Sequence, residues 1–297
     1  MTLAATADLV ASAAAQDTAV LAFNVITVEH AEGIAEGVER AGVAALMQVS
    51  ENTVRFHGGR IAPLVSACAH IAARSSAELA VHLDHFQDPA LITEAIDTAA
   101  ALGVTSLMVD AAHLPYRDNV EQTHAFVQRA HQAGLWVEAE LGEVGGKGAG
   151  EIQAHAPGAR TDPDEAGAFA RETGVDALAV AVGSSHAMTT RDARLDIDLI
   201  DALAARLAVP LVLHGSSGVP DDQLRLAVRA GIRKINVGTA LNIAYSDAIR
   251  GILAADPGVT DPRPYLAAAR QAIGDTVADL CDVVASSAAV HAGERDR

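Results

Sequence analysis

The chain has 297 residues, half of them hydrophobic, and a formal charge of −17 at pH 7. That is ample apolar material for a large core, and so acidic a chain is a poor partner for nucleic acid or an anionic membrane. An anionic substrate stays open, because a few local donors can bind phosphate within an acidic shell.

Short apolar runs alternate with helical stretches along the chain. Residues 19–25 read as a first strand ending in Phe23-Asn24-Val25, and 29–41 as a helix stopped by Gly42. Residues 44–50 read as a second strand, 61–74 as a helix and 78–84 as a third strand. Pro89 opens a helix that runs to 102 and is stopped by Gly103. A strand over 106–111, a helix over 119–133 stopped by Gly134, and a strand over 135–141 follow. The glycine-rich stretch 142–158 has no periodicity and reads as a loop. Thr161-Asp162-Pro163 caps the next helix, which Gly174 ends. Residues 177–183, 211–215 and 235–238 read as the last three strands, separated by helices over 197–207 and 221–230. Helices over 240–254 and 264–285 close the chain, and the tail from 286 reads as frayed.

Only 3% of the residues are aromatic, so Ala, Val, Leu and Ile must fill the core. Cys68 and Cys281 each follow an alanine-rich helical pattern and read as small buried apolar residues rather than a disulfide. No Lys or Arg precedes Arg40, and Asp8 and Asp17 come early, which fits neither a signal nor a transit peptide. No apolar run is long enough to span a bilayer, so a soluble cytoplasmic protein is expected.

Strands that are apolar on both faces and alternate with helices belong to parallel sheets covered by crossover helices. Eight such units in this length predict one (β/α)8 barrel over residues 1–297; an open doubly wound sheet is the alternative, but no G-x-G-x-x-G follows the first strand. Active sites of such barrels lie at the carboxyl ends of the strands. Here those ends carry Asn24, Ser50, Asp84 with His85, Asp110, Glu140, His186, His214, and Asn236 to Thr239.

Three histidines at three strand ends can converge on one ion and leave coordination positions open, which suits polarising a substrate carbonyl. Asp84, beside His85, is placed to move a proton. His82 lies inside its strand and reads as structural; His113 lies near the rim. Gly215-Ser216-Ser217-Gly218 and Asn236-Val237-Gly238-Thr239 follow the seventh and eighth strands, the usual phosphate site of these barrels. Lys147 and Lys234 are the only lysines. Lys234 reads as starting the eighth strand, at the end away from the site, and Lys147 falls in the loop, so metal chemistry is preferred to an imine.

Ala22-Phe23-Asn24-Val25, Val81-His82-Leu83-Asp84-His85, Glu138-Ala139-Glu140-Leu141-Gly142, Gly183-Ser184-Ser185-His186 and Leu213 to Pro220 resemble the class II, zinc-dependent ketose-bisphosphate aldolases, which include the fructose- and tagatose-bisphosphate enzymes. Lys234-Ile235-Asn236-Val237 and Asp261-Pro262-Arg263 continue the resemblance. It implies one zinc per chain on His85, His186 and His214 with Glu140 as neighbour, and a monovalent cation near the phosphate. It implies cleavage and formation of the C3–C4 bond of a phosphorylated ketose through a zinc-stabilised dihydroxyacetone-phosphate enediolate, with Asp84 exchanging the C4 hydroxyl proton. Gly215, Ser217, Asn236 and Thr239 would hold the dihydroxyacetone-phosphate half. Asn24, Ser50 and Arg263 would reach the other phosphate, Arg263 from a neighbouring subunit of a homodimer or homotetramer.

The loop departs from the family pattern: Lys147-Gly148-Ala149-Gly150-Glu151 stands where an acidic cluster is usual, so the C3 proton falls to Glu151 from a displaced position, to another group or to water. A non-bisphosphate substrate and a metal-binding, non-catalytic derivative are the alternatives. A metal-dependent hydrolase fits less well, since His85 has no H-x-H partner.

Overall fold

The structure is a computed structural model that describes residues 3–141, 160–185 and 188–295, with side chains through Ser287. Eight parallel strands close into a barrel in sequence order: β1 (Val20–Asn24), β2 (Ala45–Ser50), β3 (Leu79–Phe86), β4 (Ser106–Val109), β5 (Trp136–Glu140), β6 (Ala177–Ala179), β7 (Leu211–Leu213) and β8 (Ile232–Val237). The expected barrel is observed. Pairing of β1 with both β2 and β8 completes the ring.

The helices α1 (Thr6–Ala15), α2 (Val28–Ala41), α3 (Glu51–Phe56), α4 (Ala62–Arg74), α5 (Pro89–Leu102), α6 (Tyr116–Gln132), α7 (Pro163–Thr173), α8 (Ile197–Arg206), α9 (Asp221–Ala230), α10 (Thr239–Ala255) and α11 (Arg263–Arg295) surround the strands. Local chemistry accounts for their ends. Asp88 caps α5 and Asp162 caps α7 through side-chain oxygens, each followed by proline, and Gly42, Gly103 and Gly174 end α2, α5 and α7 in the left-handed conformation. Among the described residues no helix is long and apolar enough to cross a membrane.

Strand periodicity divides the core into two layers. Leu79, Val81 and Leu83 face outward into the large cluster beneath the helices. Ala80 faces inward with Val20, Ala22 and Leu46, and α1 seals this end of the barrel with Leu9, Val10 and Ala13. Sequence reading found no helix here: Leu9, Val10 and Ala13 oppose Asp8 and Ser12, but alanines fill most other positions and leave the period weak.

Three strand boundaries differ from expectation for identifiable reasons. β6 stops at Ala179 because Val182 and Ala181 accept from Asp196 and Thr161, loop residues rather than a strand ladder. β7 stops at Leu213 because Gly215 turns the chain with φ 65°. β8 begins at Ile232, three residues earlier than expected, which moves Lys234 from the strand's start into its middle.

Helix α11 lies against α2 at a glycine seam. A Cβ on Gly37 would stand 2.6 Å from the Gly274 carbonyl oxygen and 2.7 Å from Val277 Cβ. Gly37→Ala is therefore expected to destabilise by about 1–3 kcal/mol through overpacking, read as a lower urea midpoint at unchanged slope.

His30, on α2, stacks on Tyr245 of α10 with ring centroids 4.5 Å apart. Burial pushes its pKa down to about 4, against smaller opposing effects of the Glu29 charge and a hydrogen bond with Asn242. Between pH 6.5 and 4 the unfolded chain binds a proton that the folded chain refuses. Stability is thus fully present above 6.5 and is lost toward pH 4, by about 3 kcal/mol for this group. Thermal melts of the wild type and His30→Phe over this range should show a shallower acid slope in the variant.

Candidate active site

Asp84 and His85 are consecutive, and in a regular strand they would face opposite sides of the sheet. The pairing of β3 with β4 runs Leu83 to Leu107 and then Phe86 to Val109, so β3 carries one extra residue. His85 takes this bulge with φ 51°. Asp84 keeps the inward register of Ala80 and His82, His85 joins it in the cavity lining, and Phe86 returns to the outer core. Glu51, capped beneath Ser50 in α3, accepts from the backbone N–H of Gln87 at 2.7 Å and Asp88 at 2.9 Å and so holds the strand's exit.

His85, Glu140 and His214 converge here, with one ligand atom from each within 4.8 Å of the others. Glu140 Oε2 lies 3.5 Å from His214 Nδ1 and 3.8 Å from His85 Nδ1. Each ring is anchored by a carboxylate: His85 Nδ1 to Asp110 Oδ2 at 3.0 Å, and His214 Nε2 to Glu138 Oε1 at 2.8 Å. Anchoring of this kind is what orients imidazoles for metal ligation. Two imidazoles and a carboxylate form a donor set suited to zinc and related divalent ions. Burial disfavours protonation of His85, but Asp84, Asp110 and Glu140 more than offset it and push its pKa up to about 10.

Asp84 is buried and receives amide N–H groups on both oxygens: Asn24 Nδ2 on Oδ2 at 3.0 Å and Asn236 Nδ2 on Oδ1 at 3.3 Å. Gln48 Nε2 fixes Asn24 by donating to its Oδ1 at 2.8 Å. Burial raises the pKa of Asp84, yet the charges of His85, His214, His82 and Lys234 outweigh it and hold the carboxyl below its ordinary value. Asp84 is therefore an ionised acceptor beside the candidate ligands.

Asp84, His85, Gln48 and Asn236 open into a cavity of about 470 Å³, also lined by Asn24, Ser50, Gly215, Ser217, Gly238 and Thr239. At Gly215 a Cβ would stand 2.6 Å from the backbone of Ser185, so only glycine admits this turn. Ser217 Oγ accepts from the N–H of Ala240 at 3.0 Å and joins the two turns. The start of α10 thus meets the turn after β7, a natural place for an anion.

Arg263 does not line this cavity; it is exposed and paired with Asp261 of its own segment. His186, Glu151 and Lys147 lie outside the described residues. His82 is fully buried below Asp84, with Nδ1 2.8 Å from Ser106 Oγ, and burial pushes its pKa down to about 3. The expectation that Lys234 is remote from the site is corrected. It is enclosed in the barrel directly beneath, with Nζ 2.7 Å from Glu138 Oε2 and 2.6 Å from Asn236 Oδ1. Sequence reading also passed over Glu138 and Gln48. Each lies two residues before a residue it singled out, Glu140 and Ser50, and so on the same inward face.

The sequence matches the family model described as fructose-bisphosphate aldolase class-II over residues 4–289. The chain belongs to this family. A fructose-bisphosphate aldolase of Staphylococcus epidermidis is 37% identical over 258 residues, covering 86% of this chain and 87% of that protein. Among solved structures, the YdjI aldolase of Escherichia coli K12 superposes with a TM-score of 0.79 at 26% identity, covering 96% of this chain and 98% of that one. A putative fructose-1,6-bisphosphate aldolase of Coccidioides immitis gives 0.79 at 26% identity, covering 95% and 97%. As a class II aldolase the chain is a lyase, and the general metal dependence of this class agrees with the His85, Glu140 and His214 donor set.

Proposed function

We propose that the chain cleaves and forms the C3–C4 bond of a ketose phosphorylated at C1, with one zinc ion held by His85, His186 and His214 beside Glu140. The observation that carries this reading is the convergence of His85, Glu140 and His214 within 4.8 Å, next to an ionised Asp84 and below the joined turns after β7 and β8. When bound, the ion supplies Lewis acidity to the ketose carbonyl and the adjacent hydroxyl.

The remaining work falls to the chain. In cleavage Asp84 accepts the proton of the C4 hydroxyl as the C3–C4 electron pair withdraws into the ketone half, and C4 leaves as an aldehyde. In condensation the proton returns along the same path. The amides of Asn24 and Asn236 keep both Asp84 oxygens aimed. The backbone around Gly215 and Ser217, together with Thr239 at the start of α10, receives the C1 phosphate, with a monovalent cation beside it. Glu151 is the proposed carrier of the C3 proton. We assign the chain to a homodimer or homotetramer.

The aldehyde half admits two readings. The Staphylococcus relative is named for fructose bisphosphate, which favours a fructose- or tagatose-1,6-bisphosphate substrate. The altered loop, Lys147-Gly148-Ala149-Gly150-Glu151, is the ground for the second, a ketose whose far end is unphosphorylated. Release of dihydroxyacetone phosphate from fructose 1,6-bisphosphate, tagatose 1,6-bisphosphate and fructose 1-phosphate separates them. A higher kcat/KM on either bisphosphate supports the first, and preference for the monophosphate the second. If no phosphorylated ketose is cleaved by zinc-loaded protein, the aldolase reading is lost.

A further inference from the structure

Lys234 is the third residue of β8 and is wholly enclosed in the barrel. An enclosed ammonium is costly unless its donors are met. Ala80, Ala177, Ala179 and Val212 also face the barrel interior, and these small apolar side chains offer the ammonium no acceptor. The pairing of β7 with β8 shows why the side chain points inward: Leu211 faces Ile232 and Val212 faces Lys234, so β8 carries an extra residue, Arg233.

The ammonium donates to two acceptors, and each leads to a different part of the site. On one branch Lys234 Nζ donates to Glu138 Oε2 at 2.7 Å, and Glu138 Oε1 lies 2.8 Å from His214 Nε2. An ionised carboxylate only accepts, so the imidazole proton sits on Nε2 and the lone pair on Nδ1. That is the nitrogen 3.5 Å from Glu140. On the other branch Nζ donates to Asn236 Oδ1 at 2.6 Å. Lysine has no acceptor, so the amide cannot flip, and its NH2 must face Asp84 Oδ1 at 3.3 Å. Asn236 Nδ2 also lies 3.0 Å from His214 Nε2, but an amide NH2 only donates, so the Glu138 carboxylate is the acceptor for the ring proton.

We propose that Lys234 is a positioning residue that sets the hydrogen-bond polarity of both halves of the site. Through Glu138 it presents His214 Nδ1 to the metal, and through Asn236 it turns a donor toward Asp84. The inference rests on the metal-aldolase reading and adds to it a group that touches neither metal nor substrate.

Glu138→Gln tests it with almost no change in shape. Lys234 would take the amide oxygen, the amide NH2 would face His214 Nε2, and the ring would be driven to the opposite tautomer. An aspartate-to-asparagine change behind a catalytic histidine has this effect in the serine-protease triad. Zinc affinity, measured by competition with a chromophoric chelator, should fall about 10–100-fold. The spectrum of the cobalt-loaded protein should change, while circular dichroism stays that of the wild type.

Lys234→Met alone leaves Glu138 charged and enclosed and invites misfolding. The double variant Lys234→Met, Glu138→Leu removes both charges and suits the apolar interior. It should melt near the wild type yet keep the same 10–100-fold loss of zinc affinity. Recovery of wild-type zinc affinity in the double variant, or wild-type affinity in Glu138→Gln, overturns the proposal and leaves Lys234 a counter-ion. A wild-type chain that takes up no zinc at all overturns the metal-aldolase reading itself, a distinguishable result.

Discussion

Asp84→Ala is expected to lower kcat for ketose-phosphate cleavage by about 10²–10⁴-fold, the usual range for removing a general acid–base group. Alanine is preferred to asparagine. Both Asp84 oxygens accept from amide donors, so an asparagine would set its own NH2 against Asn24 or Asn236. The ligand cluster does not include Asp84, so bound zinc should remain near the wild-type level. A partial reaction separates the roles further. Exchange of the C3 hydrogen of dihydroxyacetone phosphate with solvent involves no C4 hydroxyl, and the variant should retain it while losing cleavage. Loss of both reactions with zinc retained would show that Asp84 serves the C3 proton or substrate binding instead.

The second large effect is expected at His85, whose substitution should abolish metal retention and with it cleavage. The choice of variant follows from the backbone. His85 has φ 51°, a conformation that asparagine tolerates better than alanine. His85→Asn should therefore keep the bulge, and with it the register that places Asp84 and Phe86. Removing groups that merely orient a ligand costs about 10–100-fold in metal affinity, so loss of a ligand should exceed about 100-fold. Metal analysis after gel filtration, beside circular dichroism, reads this directly. A folded His85→Asn protein with full zinc content would remove His85 from the ligand set.

The barrel was legible because each strand is a short apolar run and most helices are punctuated by proline or glycine, so the alternation survives without any packing detail. α1 was not, because its alanines blur the amphipathic period that Leu9, Val10 and Ala13 set against Asp8 and Ser12. The candidate ligands were legible as polar groups at the carboxyl ends of apolar runs. What residue types could not convey was facing. Asp84 and His85 share one side only because β3 carries a bulge, and Lys234 turns inward only because β8 carries another. Both bulges are properties of pairing between strands. The lysine judged remote from chemistry proved to lie under it for this reason. Arg263, which the resemblance assigns to the phosphate of a neighbouring subunit, lies exposed beside Asp261 and outside its own chain's cavity.

The central claim is that cleavage depends on an ion held by this histidine cluster beside Asp84. The most direct measurement is the rate of dihydroxyacetone-phosphate release from the preferred ketose phosphate in three states: as purified, after exhaustive chelation and dialysis, and after zinc is titrated back. Cleavage that disappears on chelation and returns in proportion to zinc, saturating at one ion per chain, is the predicted result. Undiminished cleavage by protein shown to contain no metal would contradict the account.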